Sequence, residues 1–456
     1  MSVDISSVKE ALYKKYILPT KRKAEAYVGV EFELPIVNLK KEAVDFSLIH
    51  RLTGEFIKHF GFENIKYDDE GEIYSISDNN TKDDLSFDCS YNTIEFSFGR
   101  EKDINVLHKR FEKYYKFVKE FLEKDSHTIT GMGINPYRQY NKNIPIPNGR
   151  YRMLFHHLSS YKKYGGQMMF HDIPNFGLFS CASQTHIDVS EDDLLDSINT
   201  FNKIEPLKAL LFANSPLNGR LLARDYLWNH SLHGLNNHNV DGYSKEIKSI
   251  DEMVSYIESM SIYCLERDGK YINFPPTPLD DFFSGSVISG EYWNGTEYQE
   301  IDFEPGLADL EYLRSFKYVD LTYRGTVELR SVCEQPINEI FAAPAFHAGL
   351  KANLKELSKY LDSLDWIYNI GYTINELRNM FTFKQKPAFL DETRIKDVLI
   401  SIISIAAEGL RKRNYGESFL LEPLFNRAKN LQSPAAEMQD GIDKGRSLEY
   451  YIAKFG

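Results

Sequence analysis

The chain has 456 residues, 42% of them hydrophobic and 26% charged, with a formal net charge of −12. That balance fits a soluble globular protein with a sizeable core and argues against a general nucleic-acid binder, which would be basic. The four scattered cysteines (Cys89, Cys181, Cys264, Cys333) show no CxxC spacing or disulfide framework, no segment reaches about 18 apolar residues, and the charged N-terminus lacks a signal-peptide core; a cytoplasmic protein with no membrane partner is expected.

Residues 1–19 suggest a helix, and YVGVEFELPIV (27–37) a strand interrupted by Glu31 and Glu33. A further helix is expected before EIYSISDNNTKDDLSFDCSYNTIEFSF (72–98), which predicts short strands joined by Asp/Asn-rich turns. EKDINVLHKRFEKYYKFVKEFLEK (101–124) has apolar residues at helical spacing, HTITGMGINP (127–136) suggests a strand entering a glycine turn, and SQTHIDVS (183–190) is an alternating strand. EDDLLDSINTFNKIEPLKALLFAN (191–214) opens with acids, as a helix N-terminus does. The stretch near 236–316 predicts one helix, SIDEMVSYIESMSIYCLE, amid aromatic, Gly- and Pro-rich loops of the kind that make lids or substrate loops. TYRGTVELRSV (322–332) is again a strand, and helices are expected near 337–362 and 392–413.

There is no regular βαβ rhythm, no GxGxxG and no GxxxxGK[ST]. The expected architecture is therefore an α+β single domain over 1–456: a mostly antiparallel sheet with helices on one face, a loop-rich region near 236–316 and a helical part near 337–456.

Alternate residues of a strand share a face. Glu31 and Glu33 therefore stand opposite Val30, Phe32 and Leu34; Glu95 shares a face with Thr93 and Ser97; Gln184, His186 and Asp188 share another; and Thr326, Glu328 and Arg330 a fourth. One such strand is compatible with a solvated edge. Four with the same division suggest a sheet whose polar side lines a channel. Asp88 lies seven residues before Glu95, on the opposite face of an unbroken strand, unless a turn at Ser90-Tyr91-Asn92 returns it to Glu95.

Gathered together and ionised, Glu31, Glu33, Asp88, Glu95 and Glu328 would repel, each pair by about 4 kcal/mol at roughly 4 Å and an effective dielectric near 20. Divalent cations would relieve this. An oxygen-rich set with one imidazole suits Mg²⁺ or Mn²⁺, and the lack of thiols speaks against structural zinc. Arg330 would set a planar cation beside the metals, matched to phosphate or carboxylate oxygens; its alternative role is simply to pair with Glu328. Carboxylates, divalent metal and arginine are the parts of phosphoryl transfer.

VGVEFELP, DCSYNTIEFSFG, GMGINPYR, RYRMLFHHL, SQTHIDV, NSPLNGR, RDYLW and YRGTVELRSVCEQP follow one another in an order that resembles the glutamate–cysteine ligases, carboxylate–amine ligases of the glutamine synthetase-like fold. The likeness runs from about Tyr27 to Ala436, its tail carried by GLRKRNYGESFLLEPLFNRAKNLQSPAAE. It implies a curved, mostly antiparallel sheet forming a funnel, with ATP entering at one end and amino acids at the other. It also implies one metal site from Glu33, Asp88 and Glu95 and a second from Glu31, His186 and Glu328, where some branches of the family carry Asn in place of His186. Arg330 would meet the transferred phosphate, Arg224 the amino-acid substrate, and Arg152 substrate or phosphate. The implied activity joins the glutamate γ-carboxylate to the cysteine amine through γ-glutamyl phosphate, with ATP as co-substrate and Mg²⁺ as cofactor, as the first step of glutathione or γ-glutamylcysteine biosynthesis. Two alternatives stand beside it: a related ligase joining another acid and amine, and a non-catalytic metabolite-binding or regulatory protein. Oligomeric state, monomer or homodimer, is left open by the sequence.

Overall fold

The computed structural model describes residues 5–164, 170–285 and 287–456. Numbered along the chain, its strands are β1 (Val28–Asn38), β2 (Asn64–Tyr67), β3 (Ile73–Ser77), β4 (Asp84–Phe87), β5 (Thr93–Glu101), β6 (His127–Ile129), β7 (Ser183–Asp188), β8 (Val240–Asp241), β9 (Ser261–Arg267), β10 (Lys270–Pro278), β11 (Ile288–Trp293), β12 (Tyr298–Phe303), β13 (Phe316–Lys317), β14 (Val319–Leu321) and β15 (Thr326–Leu329). Nine of them form one sheet in the order β14-β15-β7-β1-β5-β4-β3-β2, with β6 paired to the far end of β1. Every pairing in that sheet is antiparallel.

Alternation in β1 decides which side of the sheet is dry. Val30, Phe32 and Leu34 pair in register with Phe98, Phe96 and Ile94 of β5, and all six are buried. Phe32 meets Phe111 of helix Ile104–Glu123 at 5.3 Å between ring centroids and Phe341, at the start of helix Ala342–Ala352, at 5.1 Å. Burying a side chain of this size contributes about 1.5–3 kcal/mol. Helix Ile104–Glu123 starts where Asp103 accepts from the Asn105 amide at 2.9 Å, satisfying one of the free N–H groups of its first turn. The long helix Glu392–Arg413 lies against helix Ala342–Ala352 at a point where both carry glycine. A Cβ on Gly409 would strike the Gly349 carbonyl, so only glycine lets these backbones meet.

The structure corrects three sequence expectations. Residues 236–316 are not loop-rich: they hold a four-stranded antiparallel sheet, β12-β11-β10-β9, and helix Ile250–Glu258. The helix expected over 249–266 stops early, where the Ser259 hydroxyl donates to the Tyr256 carbonyl at 2.6 Å, and Ile262, Tyr263 and Cys264 continue as β9. These β-branched and aromatic residues fit a pleated, packed surface better than a helix. The helix expected over 191–214 is interrupted at Ile204, because Pro206 sits in the first turn of a second helix, Glu205–Phe212.

Candidate functional site

Strand register assembles the polar face. Asp320, Glu328, His186 and Gly29 lie side by side on β14, β15, β7 and β1; Gln184, Glu31, Ser97 and Asp84 make the next row; and Glu33, Glu95 and Ser86 a third. Directly opposed residues point to the same side, so these rows stack into one surface. Gly29 leaves room for His186 here. A Cβ in its place would come within 3.3 Å of the His186 Cβ, crowding the imidazole that reaches toward Glu31.

Asp88 joins them by the turn between β4 and β5. Cys89 adopts a left-handed φ of 58°, the Ser90 amide donates to the Asp88 carbonyl at 2.6 Å, and the Asn92 side chain donates to the Ser90 hydroxyl at 3.0 Å. Two groups of donor atoms result. Glu33, Asp88 and Glu95 each offer one oxygen within 4.8 Å of the others, and Glu31, His186 and Glu328 offer a second set within the same limit.

Each carboxylate has a distinct local setting. Glu33 accepts from the Ala182 amide and from Gln184 Nε2, both at 2.7 Å, which fixes its orientation. Burial and the neighbouring Asp88 charge nonetheless raise its pKa to about 8. Glu95 accepts from Ser97 Oγ at 2.6 Å; burial and the charges of Glu31, Asp88 and Glu33 push it well above the usual carboxylate range. Asp88 is raised mainly by burial, against the pull of Arg150. Burial also acts to raise Glu31, but the His186 hydrogen bond (3.1 Å) and the His186, Arg330 and Arg324 charges prevail and bring it to about 2. His186 moves the other way: burial lowers it, but the Glu328 charge and the Glu31 bond hold it above its ordinary value. Without a cation the cluster thus keeps protons on one half and a histidine–glutamate pair on the other.

Cations frame the acids. Arg330 donates to Glu328 Oε1, and its guanidinium stands 5.7 Å from the Phe316 ring centre. Arg224 donates from Nη1 to the Arg330 carbonyl at 3.2 Å and is itself buried, in helix Ala223–Asn229. Arg152 does not share their surroundings. Its Nη2 donates to Asp69 at 2.7 Å and its guanidinium faces the Trp293 ring, beside a cavity of about 170 Å³ lined also by Tyr271 and Tyr298. Arg150, two residues earlier, is a cation whose field reaches Asp88 and Glu95, with Arg330 acting on Asp88 as well. Residues i and i+2 on a helix face different ways, so both arginines of RYR cannot serve the same cluster. Asp320 was also missed. It opposes Glu328 in register, and burial with the Glu328 charge raises it to about 6; the alternation Val319-Asp320-Leu321 was its sequence signal.

The model of glutamate–cysteine ligase family 2 (GCS2) matches residues 55–364, more than half of the chain. The chain belongs to the glutamate–cysteine ligase family 2. Within that match fall Asp88, Glu95, His186, Arg224, Glu328 and Arg330, while Glu31 and Glu33 precede it and reach the site through β1. The chain is similar to the chloroplastic glutamate–cysteine ligase of Nicotiana tabacum, at 26% identity over 357 residues, covering 74% of this chain and 60% of the relative. The Solanum lycopersicum enzyme is 25% identical over 358 residues, with the same coverage. The chain therefore spans about 60% of the length of these curated relatives. A solved structure of Francisella tularensis glutamate–cysteine ligase in complex with AMP aligns with a TM-score of 0.49 at 11% identity, covering 96% of this chain and 88% of that one. Among the described residues no helix is long and apolar enough to cross a membrane.

Proposed function

We propose that the chain, acting as a single catalytic domain over residues 1–456, ligates the γ-carboxylate of glutamate to the amine of cysteine at the expense of ATP. One observation carries this reading: two three-residue donor sets lie on a single sheet face, with the Arg330 guanidinium on Glu328. Family membership supports the same choice. All four cysteines are buried and free, which supports a reducing compartment such as the cytoplasm.

The residues suit divalent metal. Five carboxylates and one imidazole make a hard, oxygen-rich donor set, and Glu33, buried, and Glu95, half-buried, have no lysine or arginine ion pair among the described residues. Glu33, Asp88 and Glu95 would hold one Mg²⁺ or Mn²⁺, and Glu31, His186 and Glu328 another. When bound, such ions neutralise the acids and the charge on phosphate oxygens.

The chain's own groups do the rest. A carboxylate does not react with an amine at neutral pH, because oxide is a very poor leaving group. Transfer of the ATP γ-phosphoryl group to a γ-carboxylate oxygen breaks its bond to the β-phosphate bridging oxygen, releases ADP and makes an acyl phosphate. The amine nitrogen then attacks the carbonyl carbon, phosphate departs with the C–O bond electrons, and the nitrogen loses a proton. Arg330 would bind the phosphoryl oxygens as they shift between donor and acceptor. Arg224, anchored on the Arg330 carbonyl, would meet the amino-acid carboxylate, and Arg150 adds a cation on the Asp88 side. Arg152 would contact substrate only from the neighbouring aromatic cavity. Water must be kept from the acyl phosphate. The stacked, half-buried Trp228 and Phe316 (4.3 Å) and the buried His233 (4.1 Å from Phe316) form an aromatic wall beside Arg330.

Incubation of the purified protein with ATP, Mg²⁺ and mixed amino acids tests the reading. A product with the mass of γ-glutamylcysteine is expected; a conjugate of another acid and amine would keep the chemistry but change the substrates, and no product across a broad panel would count against ligation. A second expectation follows from the pKa shifts. Glu33, near 8, carries a proton at neutral pH, burial and its acidic neighbours shift Glu95 in the same upward direction, and metal requires both deprotonated. Mg²⁺ or Mn²⁺ binding should therefore release protons, and affinity should rise with pH until Glu33 ionises near pH 8. Calorimetry in buffers of different ionisation enthalpy measures this, and a heat independent of buffer would contradict it.

A further inference from the structure

Away from the acidic face, a cavity of about 580 Å³ opens between the 132–138 loop, the 216–221 hairpin and helices Pro434–Asp443 and Leu448–Phe455. Its size falls in the range of small-molecule sites. The lining is largely apolar, with Met132, Ile134, Leu217, Leu221, Met438 and Ile442, and none of the two donor sets reaches it. Three cations also line it. Lys384 is already neutralised by Asp440 at 2.8 Å and Asp443 at 2.9 Å.

Arg138 and Arg220 are different. Among the described residues neither has a carboxylate partner. Arg138 is half-buried, its guanidinium 5.8 Å from the Phe179 ring centre, and burial alone lowers its pKa. Arg220 is held by the Asn379 and Thr382 side-chain oxygens at 2.9 and 3.1 Å and packs on the Phe383 and Tyr226 rings, so its fork is fixed in place, and Asp225 acts on its charge only from beyond ion-pair distance. A half-buried charge without a counterion is costly. Two of them on one mainly apolar cavity make a matched receptor for an anion carrying an apolar body, since the guanidinium fork fits carboxylate and phosphate oxygens.

The geometry points to a second ligand site: the cavity binds a small organic anion, with its carboxylate or phosphate head between Arg138 and Arg220 and its apolar part against Leu217, Met438 and Ile442. The site is tied to Arg224 through a short hairpin. Leu217 and Arg220 exchange backbone hydrogen bonds at 3.1 and 3.0 Å across Asn218 (φ 50°) and Gly219 (φ 79°), a tight two-residue turn that needs positive φ at both positions. At the base of the hairpin the Ser215 amide donates to the Leu221 carbonyl, and the Ser215 hydroxyl accepts from the Arg224 amide at 3.2 Å. An anion drawn onto Arg220 therefore acts on the loop that places Arg224.

Isothermal titration of the full chain with phenyl phosphate and, separately, with benzoate tests the site without any turnover, so its outcome is independent of the ligase reading. Saturable one-to-one binding of at least one probe is expected, and the better probe identifies the head group. Arg138→Gln and Arg220→Gln should each weaken it about tenfold or more, the loss of a charged hydrogen bond, while in Arg138→Gln ATP turnover without the probe stays as in the parent. The Arg138 side chain makes no hydrogen bond to the described residues, so Arg138→Gln keeps the test valid if Arg220→Gln fails to fold. Absence of saturable binding by both probes overturns the proposal. So does binding that survives in Arg138→Gln, or binding lost in Arg330→Met but not in Arg138→Gln, which would put the anion at the acidic face.

Discussion

Glu33→Gln and Glu328→Gln should each lower ATP-dependent phosphate release by at least about 100-fold while the protein stays folded. The two halves of that expectation have separate causes. Glutamine keeps the shape of glutamate but cannot carry the negative charge that a divalent cation requires. Glu33 in the cation-free protein already holds its proton up to about pH 8, so below that pH the amide removes little charge from the ground state, and above it the amide also relieves repulsion with Asp88. Stability of the Glu33→Gln protein should therefore be unchanged or slightly raised, and cooperative unfolding monitored by circular dichroism would show it. Glu328→Gln removes the carboxylate on which Arg330 rests, so it disturbs the second donor set and the arginine together. Near-normal phosphate release from either purified variant would contradict the role given to these acids.

The second large effect is on stability. Arg378→Met should destabilise the fold by about 3–5 kcal/mol, read as a lowered denaturant midpoint. Arg378 is 1% exposed and makes bonds in three directions. It donates to Glu205 Oε2 at 2.8 Å, to Asp225 Oδ2 at 2.7 Å, and to the carbonyls of Glu205 and Ser331 at 2.7 and 3.2 Å. Methionine would fill the space but leave the Asp225 carboxylate buried without its cation, while Glu205 kept only Lys208 at 2.7 Å. The same change should reach the site, because Asp225 adjoins Arg224 and Ser331 adjoins Arg330. A variant as stable as the parent would show that this network is dispensable.

Much of the acidic face was legible before any coordinates, because a period of two is a local signal. Glu31 and Glu33 in β1, Glu328 and Arg330 in the β15 segment, and Gln184 and His186 in β7 each declare a face by alternation, and antiparallel pairing then brings the faces together without further information. Asp88 was harder. Its return to Glu95 depends on a left-handed residue at Cys89, which nothing in the residue type demands. The β9–β12 sheet escaped notice because its strands are interrupted by Pro275, Pro276 and Gly290 and run on directly from helix Ile250–Glu258, so no clean change of period marks where helix ends and strand begins. Helix placement was the other blind spot. RYRMLFHHL contains two arginines, and only the packing of helix Gly149–Ser159 decides that Arg150, not Arg152, turns toward Asp88. The Arg378 network joins residues 153 and 173 positions apart, beyond the reach of any local pattern.

Anomalous diffraction from crystals grown with Mn²⁺ and a non-hydrolysable ATP analogue tests most directly whether the two donor sets converge around divalent cations. It should show one manganese peak about 2.1 Å from oxygens of Glu33, Asp88 and Glu95, and another at that distance from Glu31, His186 and Glu328. Manganese absent from both sets, or bound only at surface acids elsewhere, would contradict that convergence.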